Sequence, residues 1–105
     1  MDGTRLIQGD VFTAANGVPD NISAVTSGYI KEGCAVFTIE VLTGTLELGT
    51  VDHINGAPTT GSMPRMSVGD TRQFRNSANN RAKLYLSGYG GDATFYLWQE
   101  GPDKI

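Results

Sequence analysis

The chain has 105 residues and a formal net charge of −3, which excludes the strongly basic composition typical of nucleic-acid binders. This length suits a single domain with one modest core, and we expect residues 1–105 to form it. The 14 glycines and the many short apolar runs favour an all-β domain rich in turns.

No targeting or membrane segment is expected. The first residues, MDGTRLIQGDVF, lack the basic and apolar regions of a secretory signal. No run approaches the roughly 18 apolar residues of a membrane span. Cys34 is the only cysteine, so an intrachain disulfide is excluded and folding in a reducing cytoplasm is expected.

The pattern of runs and turns predicts a two-sheet antiparallel β-sandwich, jelly-roll-like, with about eight short strands. A small Greek-key barrel is the alternative. No stretch of about ten residues holds a 3.6-residue apolar period with start and stop signals, so we expect little or no helix.

Residues 1–14 indicate an N-terminal arm or an edge strand. An arm of this kind docks on a neighbouring molecule or covers an edge of its own sheet. Turn chemistry in residues 16–21, NGVPDN, predicts a loop, followed by short strands at 22–25 and 29–31.

Residues 34–42 and 45–51 are the next two predicted strands. A tight turn between them would place Glu40 opposite Glu47, which is destabilising. Either that face is solvated, or the chain crosses between sheets at this point. The side chains predicted to face inward from the first strand are Ala35, Phe37, Ile39 and Val41.

Residues 52–64, DHINGAPTTGSMP, are the longest irregular stretch and a candidate functional or mobile loop. A short strand at 66–68 should pair with one at 71–74 across the Gly69-Asp70 turn. Residues 76–80, NSANN, should form a polar loop.

Residues 81–100 predict a hairpin with Gly90-Gly91 as its turn. One face belongs to the core, and the other points outward. The predicted pairs are Leu86–Phe95 and Leu84–Leu97 on the core face and Ser87–Thr94, Tyr85–Tyr96, Lys83–Trp98 and Arg81–Glu100 on the outer face. The predicted core comprises Phe37, Ile39, Leu46, Leu84, Leu86, Phe95 and Leu97.

The charge is uneven along the chain. Residues 1–60 hold two bases and seven acids (2 − 7 = −5), and residues 61–105 hold six bases and four acids (6 − 4 = +2). The basic segment, residues 65–83, is either a set of solvated strand faces and a loop or a contact surface for an acidic partner, such as another copy's acidic half.

The chain offers little catalytic or metal-binding chemistry. A hydrolase site built from Cys34, His53 and Asp52 is disfavoured, because nothing places the three together. Glu40, Glu47 and Asp52 could bind calcium through their oxygens. Because no EF-hand loop is present, solvated carboxylates are the favoured interpretation. We expect no catalytic residues, no metal and no cofactor.

The remaining feature is the outward row formed by Lys83, Tyr85, Tyr96 and Trp98. Large exposed aromatic patches are unusual on monomers, so burial against protein is favoured. A sugar-stacking platform is the second interpretation, because flat aromatic rings with polar tips suit both uses. Lys83 over Trp98 also fits a cation–π surface pair.

Three stretches, AVFTIEVLTGTLELGTV, SVGDTRQFRN and AKLYLSGYGGDATFYLW, cover about half of the chain. Their order is an inner strand pair, a Gly-Asp turn before an edge strand, and a glycine-turn hairpin ending in aromatics. In this order they resemble the small jelly-roll capsid decoration, or cement, proteins of tailed phages. The resemblance implies binding to the outer lattice of a shell, often as a trimer, without enzymatic activity.

We therefore expect a non-enzymatic structural virion protein made in the host cytoplasm. Its expected partners are copies of itself and a major capsid or other shell protein, with no nucleic acid and no membrane. The alternative is a carbohydrate-binding or receptor-binding β-sandwich module.

Overall fold

The structure is a computed structural model that describes residues 4–50 and 61–104. These residues form eight strands and two short helices. The strands are β1 (Thr4–Ala14), β2 (Asp20–Asn21), β3 (Val36–Thr43), β4 (Leu46–Thr50), β5 (Arg65–Met66), β6 (Thr71–Arg75), β7 (Leu84–Gly88) and β8 (Ala93–Lys104); the helices are α1 (Ile22–Val25) and α2 (Ala78–Lys83). Neither helix has the length or apolar character needed to cross a bilayer.

The strands form two antiparallel four-stranded sheets. Sheet I has the order β1-β8-β3-β6, and sheet II has the order β2-β7-β4-β5. The pairing is nested: β1 pairs with β8, β2 with β7, β3 with β6 and β4 with β5. This is the connectivity of an eight-stranded jelly roll. The predicted jelly-roll sandwich is confirmed, and the Greek-key barrel is wrong because the two sheets share no strand.

The core lies between the sheets and is made of the side chains that alternate inward. Every predicted core residue has 0% of its surface exposed. Burial of each large apolar side chain contributes roughly 1.5–3 kcal/mol to folding. Ala35 is the exception among the residues predicted to face inward, because it precedes β3 and is exposed.

The predicted hairpin at residues 81–100 is wrong. Strand β7 belongs to sheet II and β8 to sheet I, so the chain crosses the sandwich at the glycine turn. Leu86 pairs in register with Leu48, and Phe95 pairs with Phe12 and Val41. The two strands face each other across the core instead of lying side by side.

The residue pairs predicted for the outer face of that hairpin are therefore also wrong. Arg81 lies in α2, and the register partners of Glu100 are Ile7 and Val36. The predicted Arg81–Glu100 pair is therefore absent. A helix rather than a strand leads into β7 because Ser77 caps its N-terminus, accepting a hydrogen bond from the Asn80 backbone N–H.

The chain also crosses between sheets from β3 to β4, as the alternative interpretation of that turn required. Gly44 has φ of 76°, and a Cβ there would lie 2.6 Å from the carbonyl oxygen of Asp92. Glycine is thus needed both for the conformation and for the close approach. Glu40 and Glu47 consequently lie in different sheets and do not face each other.

The remaining differences concern short segments. Residues 1–14 contain β1, which is an edge strand of sheet I rather than a free arm. Residues 22–25 form α1 instead of a strand, since the Asn21 side chain caps it by accepting from the Ser23 backbone N–H. No strand forms at 29–31, and β5 and β6 lie in different sheets. The predicted loop 52–64 lies mostly outside the described residues.

Candidate functional site

The outer face of sheet I carries an aromatic pair. Residues opposite each other on neighbouring strands share one face of a sheet, and the register places Tyr96 between Val11 and Glu40. Trp98 lies in the next row of the same face, between Gly9 and Thr38. The two ring centroids are 5.6 Å apart, with 34° between the ring planes.

Gly9 on β1 leaves the space that the Tyr96 ring occupies. A Cβ at position 9 would lie 2.0 Å from the Tyr96 hydroxyl oxygen, so the ring covers the backbone of β1 at that point. Glycine inside a strand commonly marks a place where another group approaches closely. The Tyr96 ring therefore lies over β1, and both rings are only half-buried.

We call Val11, Glu40, Tyr96 and Trp98 the aromatic surface. Val11 is 51% exposed, which is high for a valine in a strand. Glu40 is half-buried, and within the described residues it makes no ion pair or hydrogen bond. Beside Trp98, the Gln73 amide donates to the Thr38 hydroxyl at 3.4 Å. This surface combines exposed apolar area with one carboxylate, Glu40, that no described residue pairs with.

The four residues of the predicted outward row are not one row. Tyr96 and Trp98 lie together on sheet I, whereas Tyr85 lies on β7 in sheet II, opposite Asn21 and Gly49. Lys83 is the last residue of α2. The predicted Lys83–Trp98 and Tyr85–Tyr96 pairs depended on the hairpin and are wrong.

Part of the outer face of sheet II is covered by the chain itself. Segment 61–64 lies across it: the Gly61 N–H donates to Glu47 at 2.8 Å, and Met63 lies 3.2 Å from a Cβ built on Gly49. Glu47 and Ser87 have no exposed surface. Tyr85, on the same outer face, remains half-buried, as Tyr96 and Trp98 do on sheet I.

Two cations of the basic segment are used within the fold. The Arg65 Nε atom lies 3.5 Å from the buried carboxylate of Glu47, and its guanidinium lies 3.8 Å from the Tyr89 ring centroid. Arg81 lies 3.8 Å from a carboxylate oxygen of Glu32 and donates to the Asn76 side chain. These residues are therefore not a free basic surface.

Strand β6, the edge of sheet I, carries two exposed arginines, Arg72 and Arg75. Arg72 lies opposite Ile39, on the core side, and its guanidinium is 5.1 Å from the Phe74 ring centroid. Arg75 lies opposite Val36, on the outer side. Neither has an acidic partner within the described residues. Arg72 also borders an open cleft of about 320 Å³ between the sheets, next to Leu48, Met63 and Leu84.

The residues considered for a hydrolase site or a calcium site are not brought together among the described residues. Cys34 is buried and not in a disulfide, and His53 and Asp52 lie outside the described residues. The calcium interpretation loses its basis, since Glu40 and Glu47 lie in different sheets. Within residues 4–50 and 61–104 no three His, Cys, Asp or Glu side chains group as metal ligands.

Sequence reasoning found Tyr96 and Trp98 but missed their neighbours. Val11 and Glu40 join the aromatic surface only because β1 and β3 flank β8. The available signal was Gly9, a glycine within an otherwise regular strand, which marks a site of close packing.

No protein-family model and no curated protein sequence matches the chain. Among solved structures, it is similar to a protein of Bacillus endospore appendages, described as a novel family of disulfide-linked pili. The identity is 11% and the TM-score 0.42, with 99% of this chain and 95% of that chain covered. At this level the similarity supports no statement about function.

Proposed function

We propose that the protein is a non-enzymatic structural subunit, a capsid decoration protein that stabilises a virion shell through protein contacts. The contact function rests on one observation, the half-buried Tyr96–Trp98 pair on the open face of sheet I. The virion assignment rests on the resemblance of the three sequence stretches to decoration proteins.

The aromatic surface has the composition of an interface centre. Tyrosine and tryptophan are enriched there because they bury large areas at a low cost in side-chain entropy. Val11 adds exposed apolar area beside Tyr96. On the opposite face of the sandwich, Glu47 is buried under segment 61–64, whereas Tyr96 and Trp98 on sheet I remain partly in solvent.

We propose that the partners are copies of the chain, arranged as a trimer, and a shell protein. A domain of this size buries only about 60–70% of its unfolded surface, so a shared surface adds stability. Localisation is in the virion.

A glycan is the second candidate ligand of the same surface. One polar side chain in register is partly exposed: Glu40 lies opposite Tyr96, whereas Thr38, opposite Trp98, is buried and accepts from Gln73. Flat rings stack on sugar faces while neighbouring polar atoms bind hydroxyl groups. The protein interpretation is preferred because Val11 extends the apolar area.

The first prediction is that Tyr96→Ala or Trp98→Ala dissociates the trimer while the fold survives. Both rings lie on the outer face, so the core between the sheets is unchanged. Light scattering at several protein concentrations measures the mass, and a thermal melt checks the fold. Tyr85→Ala is the matched control, since it removes a half-buried tyrosine from sheet II and should leave the mass unchanged.

A monomeric wild type at every concentration would contradict self-assembly. A shift of Trp98 fluorescence on adding oligosaccharide to such a monomer would favour the glycan module.

Mass spectrometry of purified particles tests the virion assignment, which is overturned if the chain is found only in the host's soluble fraction.

A further inference from the structure

Two charged residues on the outer face of sheet I, Glu40 and Arg75, have no ion pair among the described residues. Glu40 is the acid of the aromatic surface and makes no ion pair within the described residues. Arg75 lies on β6, and it too has no acidic partner among residues 4–50 and 61–104. Glu40 and Arg75 thus form a complementary pair of surface charges.

Their positions suit contact between molecules. Tyr96 and Trp98 lie on β8, near the centre of the sheet, whereas β6 is its last strand. Arg75 lies opposite Val36, whose other partner is Glu100, two positions beyond Trp98 on β8. Arg75 therefore points to the outer side, like the aromatic surface, but from the edge.

The chemistry of the aromatic surface suits a guanidinium. Arginine stacks on aromatic faces and pairs with carboxylates through its planar donors. Tyr96, Trp98 and Glu40 offer both kinds of partner within two adjacent rows of the sheet. A partly desolvated pairing of this type is stronger than an exposed ion pair, because solvent screening is reduced.

We infer that the partner on the aromatic surface is a second copy of this chain, whose β6 edge places Arg75 against Glu40, Tyr96 and Trp98. This inference rests on the proposed self-assembly and names its contact. The contact is heterologous, because one copy gives its edge and the next gives its face. Heterologous contacts close into rings when the rotation permits, and a trimer is such a ring.

The test reverses the two charges. Glu40→Arg and Arg75→Glu should each shift the monomer–trimer midpoint to higher protein concentration, on the order of tenfold or more. The double variant Glu40→Arg/Arg75→Glu should return the midpoint towards that of the wild type, because every contact regains opposite charges. Sedimentation equilibrium gives the midpoints, and circular dichroism melts confirm that each variant is folded.

Arg72→Glu is the matched control. It makes the same charge change on the same strand but on the core side, against Phe74, and should leave the midpoint unchanged. Added salt should raise the monomer–trimer midpoint of the wild type and, by the same amount, that of Arg72→Glu.

The outcomes separate this inference from the proposed function. A wild-type monomer overturns the self-assembly on which the inference depends. A wild-type trimer that both single variants leave intact keeps the proposed function and overturns the Arg75 contact. Weakened single variants that the double variant does not restore also overturn it, since Glu40 and Arg75 then act at different places.

Discussion

Gln99 shows how one polar side chain inside the core fixes a loop. It lies on the inner side of β8, opposite Phe37, and has no exposed surface. Its carbonyl oxygen accepts the Lys31 backbone N–H at 2.7 Å, and its amide donates to the Tyr29 carbonyl at 3.0 Å. A buried amide is stable only when both ends are bonded, so Gln99 holds the segment between α1 and β3 against sheet I.

Tyr29 makes stability depend on pH in alkaline solution. Desolvation by burial, with smaller effects from Asp10, Tyr96 and Cys34, raises the pKa of Tyr29 above 10.0. The folded state therefore binds the phenolic proton more tightly than the unfolded state. The stability this contributes is fully present below pH 10.0 and is lost as the pH rises through the folded pKa.

We predict that Tyr29→Phe flattens this alkaline loss of stability. Denaturant unfolding at neutral pH and at several pH values above 10.0 measures the slope. Tyr85→Phe, on sheet II and away from this group, is the control and should keep the wild-type slope. An equal slope in wild type and Tyr29→Phe would show that the alkaline loss arises elsewhere.

At the scale of elements, Asn21 joins four of them. Its side-chain oxygen caps α1, while its amide donates to the carbonyl oxygens of Arg81 and Ala82 at 2.8 and 2.9 Å and of Leu84 at 3.3 Å. The end of α2 and the start of β7 are thus tied to β2. The loop predicted at 16–21 ends in β2 at Asp20–Asn21, and the loop predicted at 76–80 is in part α2, because Ser77 caps that helix.

We predict that Asn21→Ala destabilises the protein by about 2–4 kcal/mol, because it removes a helix cap and leaves part-buried carbonyls without a donor. Ser77→Ala removes only the α2 cap and should cost about 1 kcal/mol. Denaturant unfolding compares the two. Equal losses in both variants would contradict the joining role of Asn21.

The failure of the predicted hairpin has a physical cause. Leu84, Leu86, Phe95 and Leu97 alternate inward whether β7 and β8 are neighbours in one sheet or face each other across the core. Gly90-Gly91 tells where the chain reverses, but not to which sheet it returns. Only the Glu40–Glu47 conflict carried information about crossing, and it indicated the correct alternative for β3 and β4.

For the whole molecule, sequence reasoning predicted the fold class and the core because both follow from alternation and turn chemistry. It did not predict which strands are neighbours, since that depends on contacts between distant residues. The candidate site shows the same limit. Trp98 and Tyr96 face outward by alternation alone, whereas Glu40 joins them only through the β3–β8 pairing.

We predict that deleting residues 1–14 prevents folding. Strand β1 pairs with β8 from Thr4 to Ala14, and Phe12 packs on Phe95, with ring centroids 5.9 Å apart. A dispensable arm would instead leave a folded domain. Circular dichroism and a thermal melt distinguish these outcomes. Val11→Thr is the control, because it keeps a β-branched residue on the outer face and should fold.

The β1–β8 pairing also orders events during translation. Ala14 pairs with Ala93, 79 positions later (93 − 14), so a ribosome adding about 5–20 residues per second needs about 4–16 s to supply the partner. Strand β3 waits for the same partner, because β8 lies between β1 and β3. Until β8 emerges, the edges of β1 and β3 that will pair with it are therefore unpaired. We expect a chaperone to bind the nascent chain mainly during this interval.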